Sequence, residues 1–205
     1  MPACSLWLLP PGDSPIQSIL SELITTKIPS HFPELHNVVF KPHMTLTSDI
    51  TLPPDVAGNE QAQRWLDSLP LPKKVDPDVR LESLDVGDQY FKKLTLSVYK
   101  GSLEDFAAHV RSTVVENGDM ATATSWAKGT WAPHVSLMYA DIEVTAEKRQ
   151  EILQVVMNAG IRIGKEYRLL EDGKSGYSGW SGGRIALVET WKELEDWEVV
   201  ASRAM

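Results

Sequence analysis

Two pentapeptides of this chain share one pattern, in which a histidine is followed two positions later by a hydroxyl residue. They are Pro42-His43-Met44-Thr45-Leu46 and Pro133-His134-Val135-Ser136-Leu137. After each histidine, apolar and polar residues alternate strictly, which is typical of a β-strand with one buried face. The alternation places the histidine and the hydroxyl of each motif on the same face. Two equivalent strands would therefore bring two imidazoles and two hydroxyls to one cleft.

That set of side chains suits phosphoryl chemistry. Histidine can serve as both acid and base near neutral pH. Opening a cyclic phosphodiester with water needs both roles, since one imidazole takes a proton from water while an imidazolium protonates the departing sugar oxygen. Thr45 and Ser136 can donate hydrogen bonds to the non-bridging oxygens as negative charge grows there. We therefore predict that His43 and His134 are catalytic, flank the phosphorus on opposite sides, and need no metal or cofactor.

Other interpretations of these residues are weaker. A single histidine on a strand is more often structural than catalytic, but two histidines in matched frames favour catalysis. The remaining histidines, His31, His36 and His109, lack that frame and are interpreted as structural. Neither motif holds a carboxylate or thiol at metal-ligand spacing. Ser136 also lacks the glycine-flanked turn of a serine nucleophile.

Composition limits the class of protein. The chain has 205 residues, of which 42% are apolar and 23% charged, as in ordinary globular proteins. A net charge of −8 argues against binding along a nucleic-acid backbone but allows a small nucleotide. One cysteine, Cys4, excludes intramolecular disulfides. No run reaches the ~18 apolar residues of a membrane span, and the start is a poor signal peptide. We expect an intracellular monomer without a membrane span.

The predicted elements recur along the chain. Each half reads as a helix, the histidine strand, a second helix and then strand segments. The predicted strands are 4–9, the two histidine motifs, 80–86, 91–99, 161–169, 184–191 and 197–201, and the predicted helices are 15–26, 60–68, 102–117 and one starting at Thr145. This order predicts an α+β fold with internal duplication. We expect a single bilobal domain over 1–205, with pseudo-repeats at roughly 1–100 and 101–205, an antiparallel sheet with flanking helices in each lobe, and a cleft between them.

One segment lies outside the repeat. Residues 171–183 are rich in glycine and serine, with two aromatic residues and no periodicity. Connections of this length are usually functional or disordered. The segment is interpreted as a mobile surface hairpin tip, with a lid over the cleft as the alternative.

The chain resembles the 2H phosphoesterases, which carry two His-x-[Ser/Thr]-apolar motifs in an internally duplicated chain of this length. The resemblance is strongest to one branch, the 2′,3′-cyclic-nucleotide 3′-phosphodiesterases of fungi and plants. The matching segments are Leu6-Trp7 before Pro10-Pro11, 40–43 with 47–48, Gln89-Tyr90-Phe91-Lys92-Lys93, 133–139 and Trp197-Glu198-Val199-Val200. These segments come from both ends and both halves of the chain, so the match extends beyond a lone motif.

The resemblance implies an activity and a set of roles. It implies hydrolysis of nucleoside 2′,3′-cyclic phosphates to 2′-phosphates, and of ADP-ribose 1″,2″-cyclic phosphate from tRNA splicing. His43 and His134 fall on the family's proton-transfer histidines, Thr45 and Ser136 on its phosphate-binding hydroxyls, and Tyr139 on a substrate-contacting tyrosine. It also allows Golgi association beside the cytoplasm. Two alternatives stay open: a related RNA-end or 2′,5′ phosphoesterase, and a nucleotide-binding module without turnover.

Overall fold

The computed structural model describes residues 3–36, 38–72, 77–164 and 176–205. Its eight strands are β1 (Cys4–Leu9), β2 (Met44–Ile50), β3 (Asp78–Val86), β4 (Leu94–Val98), β5 (His134–Met138), β6 (Gly179–Ser181), β7 (Arg184–Val188) and β8 (Val199–Ala204). Its five α-helices are α1 (Pro15–Glu22), α2 (Asn59–Ser68), α3 (Leu103–Val114), α4 (Met120–Gly129) and α5 (Ala146–Asn158). The predicted α+β class is confirmed.

Two predicted helix starts are confirmed in detail. The Ser14 hydroxyl accepts a hydrogen bond from the Gln17 amide at 3.4 Å, and Pro15 occupies the first turn of α1. Helix α1 continues through a π-helical turn at Leu23–Lys27, which explains the longer helical periodicity of the sequence. Thr145 caps α5 through the Lys148 amide at 3.2 Å.

The strands form one sheet in the order β6-β3-β4-β5-β2-β1-β7-β8, and every strand pair is antiparallel. The central neighbours β2 and β5 carry the two histidine motifs, and they pair at Met44↔Val135. Among the described residues, no helix combines the length and the apolar character that crossing a membrane requires.

The sequence predicted a separate sheet for each half of the chain, and the strand order differs from that expectation. Each side of the β2–β5 junction draws strands from both halves: β3, β4, β5 and β6 on one side, and β1, β2, β7 and β8 on the other. Pairing β2 with β5 removes the two exposed edges that separate sheets would leave there. It also brings the two motifs together.

The two faces of the central strands divide as the alternation predicts. Met44 and Leu46 of β2 and Val135 and Leu137 of β5 belong to the apolar core. That core also holds apolar residues of the helices, such as Leu20 of α1, Leu66 of α2 and Ile152 of α5. Burying this face against helices leaves the opposite face, with its histidines and hydroxyls, for the site.

Helix α4 was missed, because the sequence suggested a polar connection before the second motif. Its buried residues, Ala123 and Ala127, are spaced by four but too small to give a strong apolar periodicity. The signal that marks its start is Asp119, whose carboxylate accepts a hydrogen bond from the Thr122 amide at 3.0 Å.

Several strand predictions need correction. Residues 90–92 form a 3₁₀ turn instead of the start of β4. In the predicted segment 161–169, Ile161 makes an isolated parallel bridge with Tyr177, and 165–169 lie outside the described residues.

Of the segment 171–183, which was interpreted as a hairpin tip or a lid, residues 171–175 also lie outside the described residues. Within the rest, β6 pairs with β3 and buries Trp180, and none of 176–183 lines the cavity described below. The position of residues 179–181 is set by backbone pairing with β3 at the sheet edge, which amino-acid composition does not reveal.

Candidate active site

The pairing of β2 with β5 sets the arrangement of the four motif side chains. In an antiparallel pair the residue numbers of opposed partners have a constant sum. Met44 and Val135 are the paired residues, so the flanking residues His43 and Thr45 of the first motif lie beside His134 and Ser136 of the second. All four side chains belong to the face opposite the apolar core.

The two histidines are held by the same kind of backbone bond. His43 Nδ1 lies 2.7 Å from the Lys41 carbonyl oxygen, and His134 Nδ1 lies 2.9 Å from the Ala132 carbonyl oxygen. Because a carbonyl oxygen only accepts, Nδ1 carries the hydrogen in both rings. The neutral tautomer then has its lone pair on Nε2. Both rings thus leave Nε2 for proton transfer.

The four side chains line one cavity of about 330 Å³. Its described lining comprises Ser5, Trp7, His43, Thr45, Ser48, Phe91, Lys92, His134, Ser136, Tyr139, Thr190 and Trp197. All five residues predicted from the sequence, including Tyr139, are therefore brought together. His31, His36 and His109 are not part of this lining; His31 contacts Glu151 and His109 donates to the Pro70 carbonyl oxygen.

Aromatic rings surround His43. Trp7 of β1 stacks on its imidazole with ring centres 3.6 Å apart and planes 10° apart. Phe40 approaches the same imidazole edge-on at 6.2 Å. His43 is 5% exposed as a result. The stack restrains the ring orientation that the Lys41 bond sets, so the imidazole is fixed before a ligand enters.

The environment lowers the pKa of both histidines. Burial is the main cause for His43, whose pKa falls to about 4 although the Lys41 carbonyl bond acts in the opposite direction. Burial also lowers the pKa of His134; the Ala132 carbonyl bond raises it, the Lys92 charge lowers it and the Asp85 charge raises it. Both imidazoles are thus predominantly neutral at pH 7 without a ligand.

Tyr139 directly follows β5 and closes one side of the cavity. Its ring stacks on Phe40 at 4.1 Å and is 7% exposed. Burial raises the pKa of its phenol to about 12, while the nearby Ser136 hydroxyl acts in the opposite direction. The phenol therefore keeps its proton across the physiological range and can serve as a hydrogen-bond donor.

Several lining residues were not assigned a role from the sequence. Trp7 was interpreted as part of a buried strand, yet it contacts His43. Phe91 and Lys92 lie on the 3₁₀ turn between β3 and β4, and Trp197 comes from the connection between β7 and β8. The Phe91 and Trp197 rings are 5.8 Å apart and 15° from parallel, so the two connections meet over the cavity. Sequence spacing gives no sign of this contact, since the two residues are far apart in the chain.

Over the described ranges, no three or more His, Cys, Asp or Glu side chains are grouped so as to hold a metal ion. The donors that the cavity does offer are two imidazoles, hydroxyls, one phenol and one ammonium. These groups can exchange protons with a substrate and donate hydrogen bonds to an anion.

The fold and the cavity define a class: an α+β protein that joins two His-x-hydroxyl strands at the centre of one antiparallel sheet. The sequence model of the family described as "Cyclic phosphodiesterase-like protein" matches residues 1–205. The chain belongs to that family, and the predicted resemblance to the cyclic phosphodiesterase branch of the 2H phosphoesterases is confirmed.

Fungal proteins of known name are similar over the full chain. A protein of Neurospora crassa named 2′,3′-cyclic-nucleotide 3′-phosphodiesterase is 34% identical over 220 residues, which cover 100% of both chains. A protein of Phaeosphaeria nodorum with the same name is 36% identical over 207 residues, again covering 100% of both. One of Yarrowia lipolytica, also with that name, is 29% identical, covering 97% of this chain and 98% of its own.

Proposed function

We propose that this protein is a hydrolase that converts nucleoside 2′,3′-cyclic phosphates to nucleoside 2′-phosphates. The observation that carries the proposal is the convergence of two imidazoles and two hydroxyls on one cavity. The relatives named 2′,3′-cyclic-nucleotide 3′-phosphodiesterase support the choice of substrate and of the bond that is cleaved.

The proposed reaction uses one histidine as base and the other as acid. The neutral Nε2 of one ring takes a proton from water as the water oxygen bonds to phosphorus. The bond from phosphorus to O3′ breaks on the opposite side, and the imidazolium of the second ring protonates O3′. The product is a 2′-phosphate, and exchange with solvent resets both rings. The leaving oxygen must face the acid, so a bound substrate would assign the two roles.

The other predicted site residues act on the phosphoryl oxygens and the nucleoside. The hydroxyls of Thr45 and Ser136 donate to the non-bridging oxygens, where charge grows in the transition state. The Ser136 hydroxyl makes a long hydrogen bond of 3.5 Å to the Phe91 carbonyl oxygen, which a phosphate oxygen can replace. Tyr139 supplies a neutral donor beside Ser136. None of these groups requires a metal.

Three finer predictions accompany this function. ADP-ribose 1″,2″-cyclic phosphate is proposed as a second substrate on the strength of the family resemblance. Internal duplication, with pseudo-repeats at roughly 1–100 and 101–205, rests on the two matched histidine motifs and stays a prediction. A monomer in the cytoplasm, with Golgi association as the alternative, stays a prediction.

The lowered histidine pKa values predict the pH dependence. The base must be neutral and the acid protonated, so a plot of kcat/KM against pH should be bell-shaped, with one limb from each histidine. The maximum lies midway between the two apparent pKa values. Since both lie below the ordinary 6.5, the maximum should lie below pH 6.5. A bound phosphate favours the imidazolium form and raises the pKa of both histidines in the enzyme–substrate complex. The pH optimum of kcat should therefore be higher than that of kcat/KM. Initial rates from pH 4 to 9 test this; a flat profile from pH 5 to 8 contradicts it.

Phosphorus NMR tests the reaction itself. The purified protein is incubated with 2′,3′-cyclic AMP in excess EDTA, and the products are compared with authentic 2′-AMP and 3′-AMP. We expect 2′-AMP alone, at the same rate with and without EDTA. A 3′-phosphate product would keep the two-histidine chemistry but reject the cleaved bond. Activity confined to 2′,5′-linked oligonucleotides would favour the related phosphoesterase, and tight binding without turnover would favour a binding module.

A further inference from the structure

Lys92 stands apart from the other groups that line the cavity. It is the one residue in the described lining whose side chain carries a fixed charge, and that charge is positive. The chain as a whole has a net charge of −8. An anionic ligand entering this cavity therefore meets a local cation on a protein that otherwise repels it.

The backbone holds Lys92 beside the second motif. Its 3₁₀ turn, Tyr90–Lys92, connects β3 to β4, the neighbour of β5. The Tyr90 carbonyl oxygen accepts a hydrogen bond from the Ala140 amide at 3.2 Å, beyond the end of β5. A Cβ on Gly87 would collide with the Lys92 carbonyl oxygen, so only glycine permits the close approach that folds the turn back. The position of Lys92 is thus built into the fold.

The charge of Lys92 is available to a ligand. Within the described part of the chain, no carboxylate oxygen lies within 4.0 Å of its ammonium group. Three charged or titratable groups bear on the pKa of His134 or interact with that ring: Lys92 from the turn, Asp85 from β3, and His43 from the β2 side. Lys92 is the one permanent cation among them, so it is the group suited to a phosphate next to His134.

We propose that Lys92 is a phosphate-binding residue, whose ammonium group pairs with a non-bridging oxygen of the substrate and of the product. The inference rests on the proposed function and deepens it, because it adds a charged partner to the two hydroxyls. An ammonium interacts more strongly as the charge on the phosphoryl oxygens rises, so Lys92 favours the transition state over the cyclic monoanion. It also favours the dianionic product, since the second pKa of a phosphomonoester is about 6.

The test compares Lys92→Met and Lys92→Arg with Lys128→Met, a matched change of an exposed lysine outside the cavity. Lys92→Met should lower kcat/KM for 2′,3′-cyclic AMP about tenfold or more, the range of one hydrogen bond to a charged group. Lys92→Arg should retain most of the activity. Lys128→Met should behave as the unmodified protein, which excludes an effect of net charge alone.

Two readouts separate phosphate binding from a merely structural role. The affinity for 2′-AMP, measured by calorimetry, should fall more at pH 7.5 than at pH 5, because the product is dianionic only at the higher pH. The kcat/KM limb that belongs to His134 should move to higher pH in Lys92→Met, since a neighbouring cation is removed. Neither change is expected if Lys92 only supports the turn.

The outcomes distinguish this inference from the proposed function. If Lys92→Met keeps both kcat/KM and 2′-AMP affinity within twofold, the inference is wrong while the hydrolase proposal stands. If the unmodified protein does not turn over 2′,3′-cyclic AMP, the hydrolase proposal is wrong. Calorimetry with 2′-AMP then tests by itself whether Lys92 binds phosphate. Equal 2′-AMP affinity in the two proteins then rejects it, and a pH-dependent loss supports it.

Discussion

Replacing either His43 or His134 by alanine is expected to lower kcat/KM for 2′,3′-cyclic AMP by on the order of 10²-fold or more. Each variant removes one of the two proton transfers, and no other titrating group in the described lining lies on a motif strand. The surviving limb of the pH profile should be the one that belongs to the remaining histidine. Phosphorus NMR with 2′-AMP as reference measures the loss directly.

The control is His36→Ala, which removes an exposed imidazole outside the described cavity lining. His36→Ala should retain full activity. Since His43 stacks on Trp7, His43→Ala also removes packing, so its thermal unfolding must be compared with that of the unmodified protein. His43→Gln fills more of the space without supplying a base. If a folded His43→Gln or His134→Ala variant kept more than a third of the activity, acid–base catalysis by this pair would be wrong.

Coupling between the two histidines gives a second check on the same mechanism. Groups that act in one concerted step are not additive, because losing either one already removes most of the benefit. The loss of kcat/KM in the double alanine variant should therefore be much smaller than the ~10⁴-fold product of the two single losses. Fully additive losses would indicate two independent contributions, for example to binding, instead of one shared proton-transfer step.

The sequence predicted the chemistry-bearing part of this fold well, and the reason is physical. A strand has a period of two, so the residues around His43 and His134 specify which side chains share a face. Burial of Met44 and Val135 on the other face follows from the same alternation, and the structure agrees. The helix starts at Ser14 and Thr145 were also predictable, because capping is a local interaction between neighbouring residues.

The rest of the site depends on contacts that local sequence does not encode. Trp197 meets Phe91 only because the β7–β8 and β3–β4 connections converge over the sheet. Trp7 contacts His43 because β1 lies beside β2. Helix α4 is held by small buried alanines, which give little periodic signal. The two aromatic contacts depend on strand order, and strand order is a long-range property.

The joined sheet shows where the site lies: the cavity is on the sheet face where β2 and β5 meet at Met44↔Val135. The cleft between two lobes that the sequence predicted stays a prediction. The antiparallel pairing of β2 with β5 brings His43 and His134 to one cavity. Sites built on sheet strands are held more precisely than sites on loops. Phe91, Lys92 and Trp197, which lie on connections between strands, complete the lining of the cavity.

The motif hydroxyls should give the second-largest loss of activity. Thr45→Val keeps the shape of the side chain and removes its donor, and Ser136→Ala removes a single oxygen. Each is expected to lower kcat by roughly 10- to 10²-fold with a smaller change in KM, because the hydrogen bonds strengthen as charge grows on the non-bridging oxygens. Steady-state kinetics with 2′,3′-cyclic AMP separates kcat from KM.

Thr45→Ser is the matched control, because it keeps a hydroxyl at this position and gives the first motif the same residue type, serine, as the second. It should stay close to the unmodified enzyme, whereas Thr45→Val should not. A distant hydroxyl variant, Thr113→Val on α3, should leave the kinetics unchanged. If Thr45→Val and Ser136→Ala were both silent, the phosphoryl charge would have to be held elsewhere, and Lys92 and Tyr139 would be the remaining candidates in the described lining. If both raised KM without lowering kcat, the hydroxyls would bind the ground state and transition state equally, and transition-state stabilisation would have to come from the histidines and Lys92.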